Sequence, residues 1–293
     1  MTGVKGGMIK IERITSRIGA QISGIDASRP LDGKTVATLR SAIDDHAVLV
    51  FTGQAKLSQD EQLRFATYFG EIHIPEFRTP ASTREEVTIL DQDAPKGQGA
   101  DVWHSDSTFL EAPPRQSTLQ AQIMPTPGGD TCFASMYAAY EALSPALKRF
   151  FAGLTASHSP IALIERTRDK AGYTVDTSLE ARPPTSHPVV AVNPVSGRPF
   201  LFVNSSWVIA IDGLTKAESD HWLKFLFGHI KSPEFQMRHH WAEGDLVLWD
   251  GHAVQHFAVP DYTSRRVMQR VLTEGQRPIG IGEVATGIAT SPA

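Results

Sequence analysis

Residues 117–124, STLQAQIM, open a series of short β-type runs, and that series decides the fold. Polar and apolar residues alternate there at two-residue spacing, the pattern of a strand with one face in a core. Comparable runs follow as TCFA (131–134), LTASHS (154–159), PVVAV (188–192), PFLFVN (199–204), FQMRHHW (235–241), DLVLW (245–249) and RRVMQRVL (265–272). So many short runs argue for a mainly β sandwich or barrel rather than alternating β and α units. Two helical patterns interrupt them, at 135–153 and 215–230. Upstream the types mix: IKIERI (9–14) and VLVF (48–51) read as strands, and KTVATLRSAIDDHA (34–47) as a helix. SQDEQLRFATYFG (58–70) reads as a second helix, with Ser58 and Glu61 spaced for a capping box. The segment 166–186 has charges and no period, as a loop or lid would, and the small-residue tail 280–293 is expected to be flexible. No repeat or linker divides the chain, so a single domain over 1–293 is the simplest organisation.

Composition excludes several partners. Lys and Arg number 28 against 32 Asp and Glu, a formal charge of -4, so no basic field exists to hold nucleic acid or an anionic membrane. The single cysteine, Cys132, rules out an internal disulfide and any multi-cysteine metal cluster, which fits a cytoplasmic protein. The N-terminus lacks the apolar core of a signal peptide, and no window is apolar for about 18 residues, so no membrane span is expected.

Chemistry concentrates around VWHSDSTF (102–109). If that stretch is extended, His104 and Asp106 project to one side and Ser105 and Ser107 to the other. An imidazole and a carboxylate suit a borderline divalent metal, but two ligands hold it weakly. By spacing alone His-x-Asp is a weak signal. A third ligand must come from the remaining histidines. His46, His221, His229, His239 and His240 fit ordinary helix and strand positions, whereas His252 and His256 follow a buried strand and turn and precede an arginine-rich strand. In that last strand two-residue alternation puts Arg266, Met268 and Arg270 on one face. Arginines facing inward need anions, and the guanidinium fork suits a carboxylate, phosphate, sulfate or sulfonate.

Together, His-x-Asp, GGDTCFASMYAAYEALS (128–144), WDGHAVQHFAVPDY (249–262) and RRVMQR (265–270) resemble the iron(II)- and 2-oxoglutarate-dependent dioxygenases of the taurine dioxygenase (TauD/TfdA) group. RIGAQISGIDASRPL (17–31) and SPEFQMRHHW (232–241) extend the resemblance over nearly the whole chain. It implies an α+β fold, mainly β with flanking helices around a double-stranded β-helix (jelly-roll, cupin-like) core. It also implies a facial triad of His104, Asp106 and His256 for Fe(II). The far carboxylate of 2-oxoglutarate would meet Thr131 and Arg266, and Arg270 would hold the anionic head of the substrate or help hold the cosubstrate. His73, Trp207 and Phe109 become substrate-binding candidates. O2, succinate and CO2 complete the reaction, and the resemblance points to a homo-oligomer, a dimer or tetramer.

Departures bear on the substrate. FGEIHIPEF (69–77) keeps His73 but has Pro75 where taurine dioxygenase has a second histidine; Ala100 replaces an asparagine, and an aromatic is missing after His158. Taurine itself is disfavoured, while alkylsulfonates and alkyl sulfates stay open. DSTFLEAPP (106–114) and AVPDY (258–262) also resemble relatives that cleave aryloxyalkanoate ethers. Two other classes are a zinc hydrolase or isomerase on the same ligands and a non-catalytic cupin-like module.

Overall fold

The computed structural model describes residues 8–76, 81–95, 101–161, 164–165, 179 and 181–285. The first part of the chain forms β1 (Lys10–Arg13), β2 (Ala20–Ser23), α1 (Gly33–His46), β3 (Val48–Phe51), α2 (Gln59–Thr67), β4 (Ile72–His73) and β5 (Val87–Gln92). The middle forms β6 (Gln116–Ile123), β7 (Thr131–Ser135), α3 (Met136–Glu141), α4 (Pro145–Phe151), β8 (Thr155–His158), β9 (Thr185–Pro188), β10 (Val190–Val192), β11 (Pro199–Leu201) and β12 (Val208–Ile211). The last part forms α5 (Lys216–His229), β13 (Gln236–His239), β14 (Leu246–Asp250), β15 (Val254–Ala258), β16 (Arg266–Thr273), β17 (Ile279–Gly280) and α6 (Ile281–Ala285). The architecture is mixed, mostly strand with helices on its flanks.

The largest sheet runs β1-β2-β3-β14-β6-β16-β4, with β5 also paired to β16; a second sheet runs β13-β7-β15. Continuous apolar runs such as VLVF arise because the central strands of the large sheet are buried on both faces. Val48, Val50, Leu119, Val247, Trp249 and Met268 point into the main core with Phe133 of β7. Leu49, Phe51, Leu246 and Leu248 point the other way, against Leu39, Ala42 and Ile43 of α1 and Phe65 of α2. The second sheet covers the inner face through Phe133, whose ring centroid lies 5.4 Å from that of Trp249. Truncating Trp249 would cost about 3–5 kcal/mol, the usual range for a large buried aromatic.

Local signals fix the helix ends. Ser58 and Glu61 form the expected capping box. The helical pattern at 135–153 divides into α3 and α4, because Ser144 caps a new helix that has Pro145 in its first turn. Thr215 and Glu218 form a second capping box at α5. Most of the expected 166–186 loop lies outside the described residues, and its last two residues, 185 and 186, belong to β9. Of the 280–293 tail, residues 281–285 are helical and 286–293 lie outside the described residues. No helix among the described residues is long and apolar enough to cross a membrane.

Three histidines are built into the core around Phe202. The His158 and His187 rings are 5.0 Å apart, and Phe202 lies 5.6 Å from His158 and 5.6 Å from His252. Burial, with the nearby Arg115 charge, pulls His252 down to about 4, against the opposing Asp250 charge and the Pro113 carbonyl. Below pH 6.5 the unfolded imidazole takes up a proton that the folded one resists until about 4. Stability is therefore full above pH 6.5 and falls on acidification. His252→Gln, which keeps a side-chain N–H for the Pro113 carbonyl, is expected to gain on the native chain by roughly 3 kcal/mol between pH 7.5 and 4. Urea unfolding at several pH values checks this; a difference that does not change with pH contradicts it.

Candidate active site

VWHSDSTF is not a strand. Only His104 pairs, in a single antiparallel bridge to His256 of β15. The His104 N–H donates to the His256 carbonyl at 3.2 Å, and the His256 N–H donates back at 2.8 Å. Beyond it the chain turns: Leu110 N–H donates to the Ser107 carbonyl at 3.0 Å, and Ser107 has φ 46°. The bridge and the turn, rather than strand alternation, bring the side chains together. His104 Nε2 lies 3.8 Å from Asp106 Oδ1, the two imidazole centroids are 4.1 Å apart, and one ligand atom from each of His104, Asp106 and His256 falls within 4.8 Å of the others. Ser105 ties the loop down twice: its hydroxyl donates to the Val254 carbonyl at 3.0 Å, and its carbonyl accepts from Trp207 Nε1 at 2.7 Å.

The electrostatics suit a cation. Burial alone would raise the Asp106 carboxyl, but Arg270, His256 and His104, together with a hydrogen bond from Ser117, hold it at about 2. Burial pulls His256 down to about 3, with the neighbouring His104 and Arg270 charges acting the same way, so this imidazole is neutral. Its Nδ1 is buried with no hydrogen-bond partner. His104 Nδ1 lies 2.7 Å from the Val102 carbonyl, which orients the ring with Nε2 toward Asp106. Two imidazoles and one carboxylate on one side of a site fit a first-row divalent metal such as Fe(II).

β16 supplies the positive charge. Arg270 Nη1 donates to Asp106 Oδ1 at 3.0 Å, and its Nε is buried without a partner. Arg266 is 6% exposed, and burial pulls its guanidinium below the usual value against the opposing charges of Tyr262 and Asp130. Its Nε donates to the Gly129 carbonyl at 3.0 Å. Gly129 has φ +80°, and a Cβ there would sit 2.9 Å from Pro125 Cγ and 3.2 Å from Arg266 Cδ, so only glycine fits. Thr131 follows two residues later. Its Oγ1 accepts from Trp241 Nε1 at 3.0 Å, leaving the hydroxyl proton for another acceptor.

The remaining candidates lie around this centre. His73 Nδ1 is 3.2 Å from Glu274 Oε1 and its Nε2 is 3.2 Å from Glu76 Oε1; burial lowers His73, but the two carboxylates raise it overall. The Phe109 and Trp207 rings lie 4.9 Å apart, tilted by 57°, in a small core with Leu110, Ile164 and Leu179. Trp103 lies over Phe257 at 5.7 Å, and Trp249 is 5.0 Å from His256. His252 is elsewhere: its Nε2 is 2.9 Å from the Pro113 carbonyl, and it lines a separate cleft with Arg115, Glu274 and Arg277. Ala100 lies outside the described residues. Sequence reasoning missed Ser117, Glu76, Gly129 and Trp241. Gly129 carried a signal, the glycine pair before Asp130; the other three carried none that separates them from ordinary strand and loop residues.

The sequence matches, over residues 10–272, the family described as taurine catabolism dioxygenase TauD, TfdA family. It is 36% identical over 287 residues to an alpha-ketoglutarate-dependent sulfate ester dioxygenase of Pseudomonas putida, covering 93% of this chain and 92% of that one. It is 33% identical over 277 residues to an alpha-ketoglutarate-dependent 2,4-dichlorophenoxyacetate dioxygenase of a Burkholderia species, covering 88% and 91%. A solved taurine dioxygenase structure from Burkholderia xenovorans superposes with a TM-score of 0.79 at 30% identity, covering 93% of this chain and 91% of that one.

Proposed function

The chain belongs to the TauD/TfdA family and is a 2-oxoglutarate-dependent dioxygenase, and from that premise we propose that it hydroxylates a small organic anion of the alkyl sulfate or alkylsulfonate type. The observation that carries the reading is the Arg270 guanidinium at 3.0 Å from Asp106, a fixed cation beside the candidate ligands. His104, Asp106 and His256 hold Fe(II). Thr131 donates its hydroxyl, and Arg266 its outer guanidinium nitrogens, to the far carboxylate of 2-oxoglutarate. Bound iron, 2-oxoglutarate and O2 supply the oxidising power for C–H hydroxylation, with succinate and CO2 as co-products. Arg270 pairs the anionic head of the substrate and fixes which carbon lies beside the metal. Trp249, packed on His256, keeps that side of the site dry.

Trp207 and Phe109 serve the substrate pocket by bracing the loop, since Trp207 holds the carbonyl between the two loop ligands. His73 stands behind the pocket with its two carboxylates. Two facing sheets, antiparallel except at the β2–β3 pair, support a double-stranded β-helix core in one domain. A cytoplasmic homo-oligomer, dimer or tetramer, is the expected setting, on the single cysteine and the family resemblance. Family membership sets aside the zinc-hydrolase and non-catalytic-module readings. A second reading, ether cleavage of an aryloxyalkanoate, draws on the phenoxyacetate relative, because the same guanidinium fork grips a carboxylate.

Succinate release with Fe(II), 2-oxoglutarate and O2 across a panel of alkyl sulfates, sulfonates and aryloxyalkanoates tests the substrate class. Alkyl sulfates should stimulate it most; preference for aryloxyalkanoates would move the assignment to the second reading, and no stimulation by any anion would remove it. Arg270→Lys, which keeps the charge but loses the fork, should raise KM for the substrate by about tenfold. Gly129→Ala should raise KM for 2-oxoglutarate by about tenfold while kcat changes less, because the added methyl displaces Arg266. An unchanged KM would separate Arg266 from the cosubstrate.

A further inference from the structure

The residue after Asp106 is the strained point of the loop. Ser107 has φ 46°, a left-handed conformation that non-glycine residues adopt at an energetic cost. Among the described residues Ala47 is the other non-glycine case, and its conformation is that of a helix C-cap, with its N–H on the Ile43 carbonyl. Ser107 ends no helix. Its hydroxyl instead donates to Glu76 Oε2 at 3.1 Å.

Glu76 is itself held from behind. Its Oε1 lies 3.2 Å from His73 Nε2, and His73 Nδ1 lies 3.2 Å from Glu274 Oε1. Burial would raise the Glu76 carboxyl, but His73 and the Ser107 hydroxyl hold it low. The backbone seats the group: Leu272 of β16 pairs with His73 of β4, and Glu274 N–H donates to the Glu71 carbonyl at 2.8 Å. A line of contacts therefore runs from the end of β16 through Glu274, His73 and Glu76 to Ser107. Both ring nitrogens of His73 face carboxylates, so His73 serves this line rather than a substrate anion.

We propose that Glu76 is a positioning residue for the metal loop: anchored by His73 and Glu274, it takes the Ser107 hydroxyl and maintains the left-handed turn that aims Asp106 at His104 and His256. This rests on reading those three residues as the metal site. Outer partners that orient ligands commonly contribute 10–100-fold in metal affinity.

The test is anaerobic calorimetric titration of Mn(II) into the full chain and its Glu76→Ala, Glu76→Gln, Ser107→Ala and Glu76→Ala/Ser107→Ala variants. Thermal midpoints report whether each variant folds, and Asp106→Ala is the control for the site. Glu76→Ala and Ser107→Ala should each weaken Mn(II) by about tenfold. The double variant should be no weaker than either, because both remove one shared bond. Glu76→Gln, whose amide oxygen still accepts the hydroxyl, should recover most of the affinity. Native affinity in both single variants, or losses that multiply in the double, overturns the proposal. Mn(II) binding that is absent from the native chain, or that survives Asp106→Ala, overturns the metal reading itself.

Discussion

Charge buried on the inward face of β16 is the constraint to which the rest of the site answers. Alternation along that strand sends Arg266, Met268 and Arg270 the same way, and Met268 is fully inside the main core. A guanidinium in such a place is costly unless an anion or carbonyl meets it. For Arg270 the partner is Asp106; for Arg266 it is the Gly129 carbonyl, reached only because residue 129 has no side chain. Each arginine satisfies one donor this way and keeps further donors for a ligand. A fold that holds two such cations a few residues apart is prepared for a second and a third anion.

Around that constraint the sheets act as a rigid mount. β16 is flanked by β6 and β5, and the central strands of their sheet are buried on both faces. β15, carrying His256, and β7, carrying Thr131, are neighbours in the opposing sheet. The loop that brings His104 and Asp106 is then clipped to β15 by two backbone hydrogen bonds. Groups that must act together thus come from elements with little freedom to move apart, the usual requirement for a preorganised site.

Much of this was legible in the sequence, for definite reasons. β16 and β14 declared themselves because burial on one or both faces leaves a period or an apolar run that survives without knowledge of the partner strands. Ser58 and Glu61 were readable because a capping box is local. For His104 and Asp106 the sequence pattern gives the right residues with the wrong geometry: it implies an extended stretch, whereas one bridge residue and a left-handed Ser107 create the approach. The pattern at 135–153 reads as one helix, and the structure divides it at Ser144 and Pro145. Glu76 and Trp241 were invisible, since their roles come from contacts with Ser107 and Thr131 far away along the chain. Substrate identity is equally non-local, for a guanidinium reads a sulfate and a carboxylate with the same fork.

On the proposed reading, the metal ligands and the inward arginines form one binding unit. Anaerobic calorimetry of 2-oxoglutarate, with and without Mn(II), on the native chain and on Arg266→Ala tests it most directly. Tight binding is expected only when metal and Arg266 are both present, because each grips a different end of the same molecule. Binding of equal strength without metal, or undiminished in Arg266→Ala, would contradict it.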